Sequence, residues 1–164
     1  MAQSFRTSGD VLLGIKLTAL VASDLCTNDN NKRLLQSDDN ICQQLNFDRI
    51  FREVMKLDPQ IRLVTICDMD GKILLSHHRP GMVNLLTPEE SRKSLEMAVK
   101  GWKTRSELAP KIGKGKYVLA EYEKIKRITI PLGDDHLLYV TTEVSADHAS
   151  IIKGISKIPL IIGP

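Results

Sequence analysis

The sequence predicts an α+β fold: a five-stranded antiparallel sheet with flanking helices in the order α-β-β-α-β-β-β-α, preceded by an N-terminal helical extension. Three observations predict it. Ile61 to His78 reads as two strands around a tight turn, because apolar and polar positions alternate through Ile61, Leu63, Thr65 and Cys67 on one face and Arg62, Val64, Ile66 and Asp68 on the other. Leu86-Thr87-Pro88-Glu89-Glu90 is a helix start, with Thr87 as N-cap, Pro88 at the first helical position and Glu90 closing a capping box. Three further apolar runs, separated by short turns, follow between Tyr117 and Val144. Strands joined by short turns pair antiparallel, and helices must then cover the sheet.

The elements follow in chain order. Residues 1–10 are polar. From Val11 to Leu25, Leu13, Leu17, Leu20 and Val21 recur at helical spacing, with Asp10 as the expected N-cap. A short helix is expected over 31–35 and a helical turn over 41–45, with Ser37-Asp38-Asp39-Asn40 as punctuation between them. Asn46 opens the next helix, whose apolar face is Phe47, Ile50, Phe51 and Val54. Pro59 ends it near Leu57. Asp68-Met69-Asp70-Gly71 is the hairpin turn, where Asp68 can bond its own backbone and Gly71 can take positive φ. The helix from Thr87 is expected to run to about Trp102, with Leu95, Val99 and Trp102 as its stripe and Lys103 and Arg105 beyond its end. Residues 106–115 then form a loop. Strands follow over 117–122, 125–132 and 137–144, with Ile128, Ile130 and Leu132 sharing one face. Ser145 caps a final helix, which Pro159 stops. The organisation is an extension at 1–45, a domain at 46–158 and a tail at 159–164.

Composition sets the class. The chain has 164 residues, 42% hydrophobic and 26% charged, enough for a core without staples. A net charge of +3 is too weak to imply nucleic acid without a local patch. Cys26, Cys42 and Cys67 are widely spaced and odd in number, which fits reduced thiols in a cytoplasmic protein. Val11 to Ala22 has the apolarity of a signal-peptide core, but Asp10 and Lys16 interrupt it and only Arg6 precedes it with positive charge. No apolar run approaches the ~18 residues of a membrane span.

Several clusters invite chemistry. Cys67, His77 and His78 are zinc-ligand types, yet no fourth ligand is in sight, and a core thiol beside strand-end histidines accounts for them better. Asp68 and Asp70 form half a calcium loop without its closing glutamate. Lys111-Ile-Gly-Lys-Gly-Lys116 suits an anion or phosphate, with Lys111, Lys114 and Lys116 to neutralise it, but it lacks the P-loop spacing. With Lys124, Lys126 and Arg127 it could form one basic face for nucleic acid or an acidic partner, although few aromatics accompany it. Ser145, Asp147 and His148 are triad residue types with no nucleophile elbow, and capping by Ser145 explains them better. No catalytic residue, metal or cofactor is nominated.

The element order from Asn46, the D-x-D-G turn at Asp68–Gly71 and the interrupted segment before the second helix resemble the roadblock/LC7 group within the profilin-like folds. Residues 85–144 are also similar to a small archaeal family of unknown function, which implies no activity. The roadblock resemblance implies a non-enzymatic module that forms a homodimer through Ser91–Trp102 and Lys116–Tyr122. Leu95, Val99, Trp102, Tyr117, Leu119 and Tyr122 would be the partner-binding residues. It further implies a scaffold, or a protein that associates with a small GTPase. The physical motive is that the strand over 117–122 would be a sheet edge with little charge to protect it. Two other readings are a small-ligand sensor of PAS or GAF type, which requires a cavity of roughly 300 Å3 or more, and the basic-surface nucleic-acid binder.

Overall fold

The computed structural model describes residues 36–159, leaving aside the side chains of 36–42 and 45. The helices expected over 11–25 and 31–35 and the end of the apolar tail lie outside the described residues. The chain divides into two compact units, Met1–Gln44 and Leu45–Pro164, and the second holds the sheet. The elements are α1 (Gln36–Leu57), β1 (Ile61–Asp68), β2 (Ile73–His78), α2 (Pro88–Ile112), β3 (Val118–Glu121), β4 (Ile125–Leu132), β5 (His136–Glu143) and α3 (His148–Ile155). The sheet is five-stranded and antiparallel throughout, ordered β2-β1-β5-β4-β3.

Helix α1 starts ten residues before the expected Asn46, running through Ser37–Asn40. Those residues sacrifice only a few tenths of a kcal/mol each in helix propensity. Downstream the expected face holds: Phe47, Ile50 and Val54 are buried, and Phe51 packs beside them.

The end of α1 is fastened by a residue whose role was not legible in the sequence. Arg79, just past β2, donates from Nη2 to the carbonyls of Met55 and Asp58, both at 2.8 Å, and from Nε to that of Ile61 at 2.7 Å. These include carbonyls that a helix end leaves without partners. Arg79→Ala is expected to lower stability by about 2 kcal/mol, since hydrogen bonds to charged groups are the stronger ones. Urea unfolding with an unchanged slope and a lower midpoint would show it.

In the β1–β2 turn, Asp68 Oδ1 accepts from the amides of Asp70 and Lys72, both at 2.9 Å, and Gly71 has φ +85°. One detail of β1 departs from the simple alternation. The register against β5 shifts between Ile61 and Leu63, so Arg62 is an extra residue. Ile61 therefore joins the core of Val64 and Ile66 rather than sharing a face with Leu63 and Cys67.

Helix α2 begins as expected: Glu90 N donates to Thr87 Oγ1 at 3.2 Å, and Thr87 N to Glu90 Oε2 at 2.9 Å. It ends at Ile112, not near Trp102, so most of the expected loop 106–115 is helix. Pro110 sits inside the last turn, where its missing N–H removes one i→i−4 hydrogen bond without stopping the helix. The helix stops only at Gly113, with φ +90° and its amide bonded to Ala109 O at 2.9 Å. Lys103 and Arg105 are thus mid-helix. Lys103 Nζ reaches Asp70 Oδ1 at 3.2 Å.

The cap of α3 is Asp147 rather than Ser145. Asp147 Oδ1 accepts from Ala149 N at 3.1 Å and Ser150 N at 3.2 Å. Ser145 is exposed in the turn that closes when Ala146 N bonds Glu143 O. Asp and Ser cap about equally well, so the spacing of that turn decides between them.

Both sheet faces are covered. On one, Phe47, Ile50 and Val54 of α1 and Ile151 and Ile155 of α3 pack with Val64, Ile66, Ile128, Ile130, Leu138 and Val140. On the other, Leu95, Val99 and Trp102 of α2 pack on Cys67, Leu137 and Tyr139. β5 is buried on both sides, which is why Leu137 to Val140 is unbroken in its apolar character.

Candidate functional site

β3 is the outer strand of the sheet. It has four residues and pairs only with β4, with Leu119 opposite Ile128 and Ala120 opposite Arg127. Its other side presents unpaired backbone groups among the described residues. Tyr117 and Tyr122, 50% and 49% exposed, bracket the strand. On α2, Met97, Leu108 and Ile112 are also exposed, Met97 at 68%.

The six residues expected at a partner interface separate into three groups. Tyr117 and Tyr122 are on the surface. Leu95, Val99 and Trp102 are at most 5% exposed because their stripe faces the chain's own sheet. Trp102 Nε1 donates to Thr129 Oγ1 at 2.9 Å across that interface. Leu119 is half-buried against the opposite core. What α2 offers outward is therefore Met97 and its neighbours, not the stripe. Periodicity finds an apolar face but does not say what covers it.

The expected basic face is likewise divided. Lys111, Lys114, Lys116 and Lys124 are exposed, and Lys114 Nζ pairs with Asp134 Oδ1 at 3.1 Å. Lys126 is buried, its Nζ donating to Ala146 O at 3.1 Å and lying 3.7 Å from Glu121 Oε1. Arg127, the next residue of the strand, projects to the α2 side. There its guanidinium lies between the rings of Tyr122 and Tyr139, at 5.1 and 5.0 Å, and Nη1 donates to Ser94 Oγ at 2.6 Å and Tyr122 Oη at 3.3 Å. Burial pushes the Tyr139 phenol up, while the Ser94 hydrogen bond pulls it back. Lys126 and Arg127 thus face opposite sides of the sheet, so the six cations do not share one surface.

The remaining candidates do not assemble. His77 faces α1, with its ring 5.0 Å from that of Phe51, whereas Cys67 lies on the α2 side. Among the described residues no three His, Cys, Asp or Glu side chains could hold a metal ion together. Asp147 is a cap, held below the usual carboxylate range chiefly by its Ser150 hydrogen bond. Burial, with Asp68 adding to it, pushes the Cys67 thiol from 9.0 up to about 12. Two results are expected. With Cys26→Ser and Cys42→Ser in place, Cys67 should resist a thiol reagent at pH 8 until the protein is unfolded. A raised thiol pKa also means that the unfolded chain ionises first. Its stabilising contribution is complete below pH 9 and declines as pH rises from 9 toward 12, as a pH series of unfolding midpoints would record.

No protein-family model matches the sequence, and no curated protein matches it. Solved structures do resemble the fold. The roadblock/LC7 domain from Streptomyces avermitilis is 15% identical, with TM-score 0.53 over 66% of this chain and 88% of that one. The fold is a roadblock fold. The gliding protein MglB of Thermus thermophilus is 12% identical, with TM-score 0.58 over 74% and 84%. An MglB with a tetrameric arrangement is 12% identical, with TM-score 0.55 over 66% and 81%. In this roadblock fold no helix among the described residues is long and apolar enough to cross a membrane.

Proposed function

We propose that the chain is a non-enzymatic, homodimeric interaction module that serves as a scaffold or as a regulator associated with a small GTPase. The observation that carries the reading is the β3 edge. It is short, unpaired on one side among the described residues, and flanked by exposed Tyr117 and Tyr122. An edge with so little protection favours pairing, and two copies of β3 in antiparallel register would merge two sheets into one. Met97 on the outer side of α2 would meet its counterpart across the same two-fold axis. The roadblock fold supports the reading, since a structural relative is described in a tetrameric arrangement. The GTPase association rests on resemblance alone. It predicts nucleotide-dependent capture of a small GTPase by the immobilised chain.

Hydrogen exchange tests the edge. The outward amides of Val118–Glu121 should be protected at high protein concentration and lose protection on dilution. Equal exchange at all concentrations would mean that β3 does not pair with a second copy.

A further inference from the structure

Beneath the start of α2 lies a cavity of about 260 Å3 that the dimer reading does not use. It sits at one end of the sheet, between the α2 face of β1, β2, β4 and β5 and the segment leading into the helix. Leu63, Leu86, Leu95 and Ile125 give it apolar walls. Its charged lining is one-sided: Arg62, Arg92 and Arg127 line it, and among the described residues no Asp or Glu does.

Two of these arginines are already neutralised. Arg62 is held by Glu143 and also donates to Val83 O at 2.8 Å. Arg92 pairs with Glu96 at 2.7 Å. Arg127 differs. Its hydrogen-bond partners are two neutral hydroxyls, its flanks are two aromatic rings, and its Nε is buried with no hydrogen-bond partner among the described residues. A buried, unsatisfied donor on a charged group is costly unless something fills the role. Native guanidinium sites commonly bind carboxylates through two adjacent N–H groups. Here the guanidinium is one of the groups lining the cavity and is held in place by its stacking and Ser94.

We infer that this cavity binds a small carboxylate with an apolar body, the carboxylate on Arg127 and the body against Leu63, Leu86, Leu95 and Ile125. The volume lies just under the ~300 Å3 at which small-molecule pockets begin, so the ligand is short. The inference does not rest on dimerisation, and either can fail without the other.

Octanoate, octylamine and 1-octanol, titrated into the full chain by calorimetry and thermal melting, separate charge from apolar burial. Octanoate should bind one per chain and raise the melting temperature, 1-octanol should bind about tenfold more weakly, and octylamine should not bind. Arg127→Gln should weaken octanoate at least about tenfold while changing 1-octanol less than about twofold. Because Arg127 is also packed between rings, Ser91→Leu provides a second variant. It narrows the cavity from the helix side and should weaken octanoate and 1-octanol together. The inference is overturned if octanoate fails to bind, if octylamine binds equally, or if Arg127→Gln folds and keeps full octanoate affinity. Octanoate that acts only by dissociating a dimer would also overturn it, assigning the cavity to an acidic side chain of a second copy.

Discussion

Trp102→Ala should lower the unfolding free energy by about 3–5 kcal/mol, the largest loss expected from any single change on α2. The indole is the bolt between helix and sheet. It is 4% exposed, packs with Leu95, Val99, Leu137 and Tyr139, and bonds Thr129 Oγ1 through Nε1. The backbone at Gly115 is wrapped so closely on the ring that a Cβ there would stand 2.6 Å from Cζ3, and Arg105 lies over its face at 5.9 Å. Alanine removes the apolar burial, leaves a cavity and leaves the buried Thr129 hydroxyl without its partner. Domains of this kind have about 5–15 kcal/mol in total, so at least about a fifth of the stability would go. Trp102→Phe separates the terms. It keeps much of the packing and loses the hydrogen bond, so it should cost about 1–3 kcal/mol. Since this is the chain's one tryptophan, circular dichroism rather than fluorescence should follow the unfolding. A Trp102→Ala protein with an unshifted midpoint would contradict the packing of α2.

Met97→Glu combined with Tyr117→Lys should convert a dimer into a folded monomer. Both side chains are at least half exposed, so the fold has little stake in them. A two-fold axis doubles every substitution, placing two glutamates near each other on the helices and two lysines beside the paired edges. Like charges facing each other across an interface cost several kcal/mol, which is about two to three orders of magnitude in the dissociation constant. A lysine at a strand end is also a device by which native edges avoid pairing. The unfolding curve should stay close to wild type after correction for the lost association. A dimer that survives the double change would mean that copies meet elsewhere.

Local rules carried much of the fold. The Asp68–Gly71 turn and the Thr87 capping box are satisfied by atoms within a few residues of each other, so their sequence signals were complete. The alternation in β4 likewise put Ile128, Ile130 and Leu132 into one core. What local rules missed depends on distant partners. Ile61 changes face because Arg62 is an extra residue against β5. Pro110 suggests a loop, but the helix carries it inside its last turn and ends only at Gly113. Lys126 is buried because its ammonium finds Ala146 O, twenty residues away. Arg79 fastens α1 through carbonyls more than fifteen residues upstream. The candidate interface suffered most. The strip Leu95–Val99–Trp102 was legible as apolar, yet its cover is the chain's own sheet, and only the three-dimensional arrangement leaves Met97 and Tyr117 facing outward.

The most direct measurement is the mass of the purified full chain by sedimentation equilibrium across a wide concentration range. A species of twice the 18.4 kDa chain mass that persists on dilution to the micromolar range is expected. A single species at 18.4 kDa up to the highest concentration would contradict it.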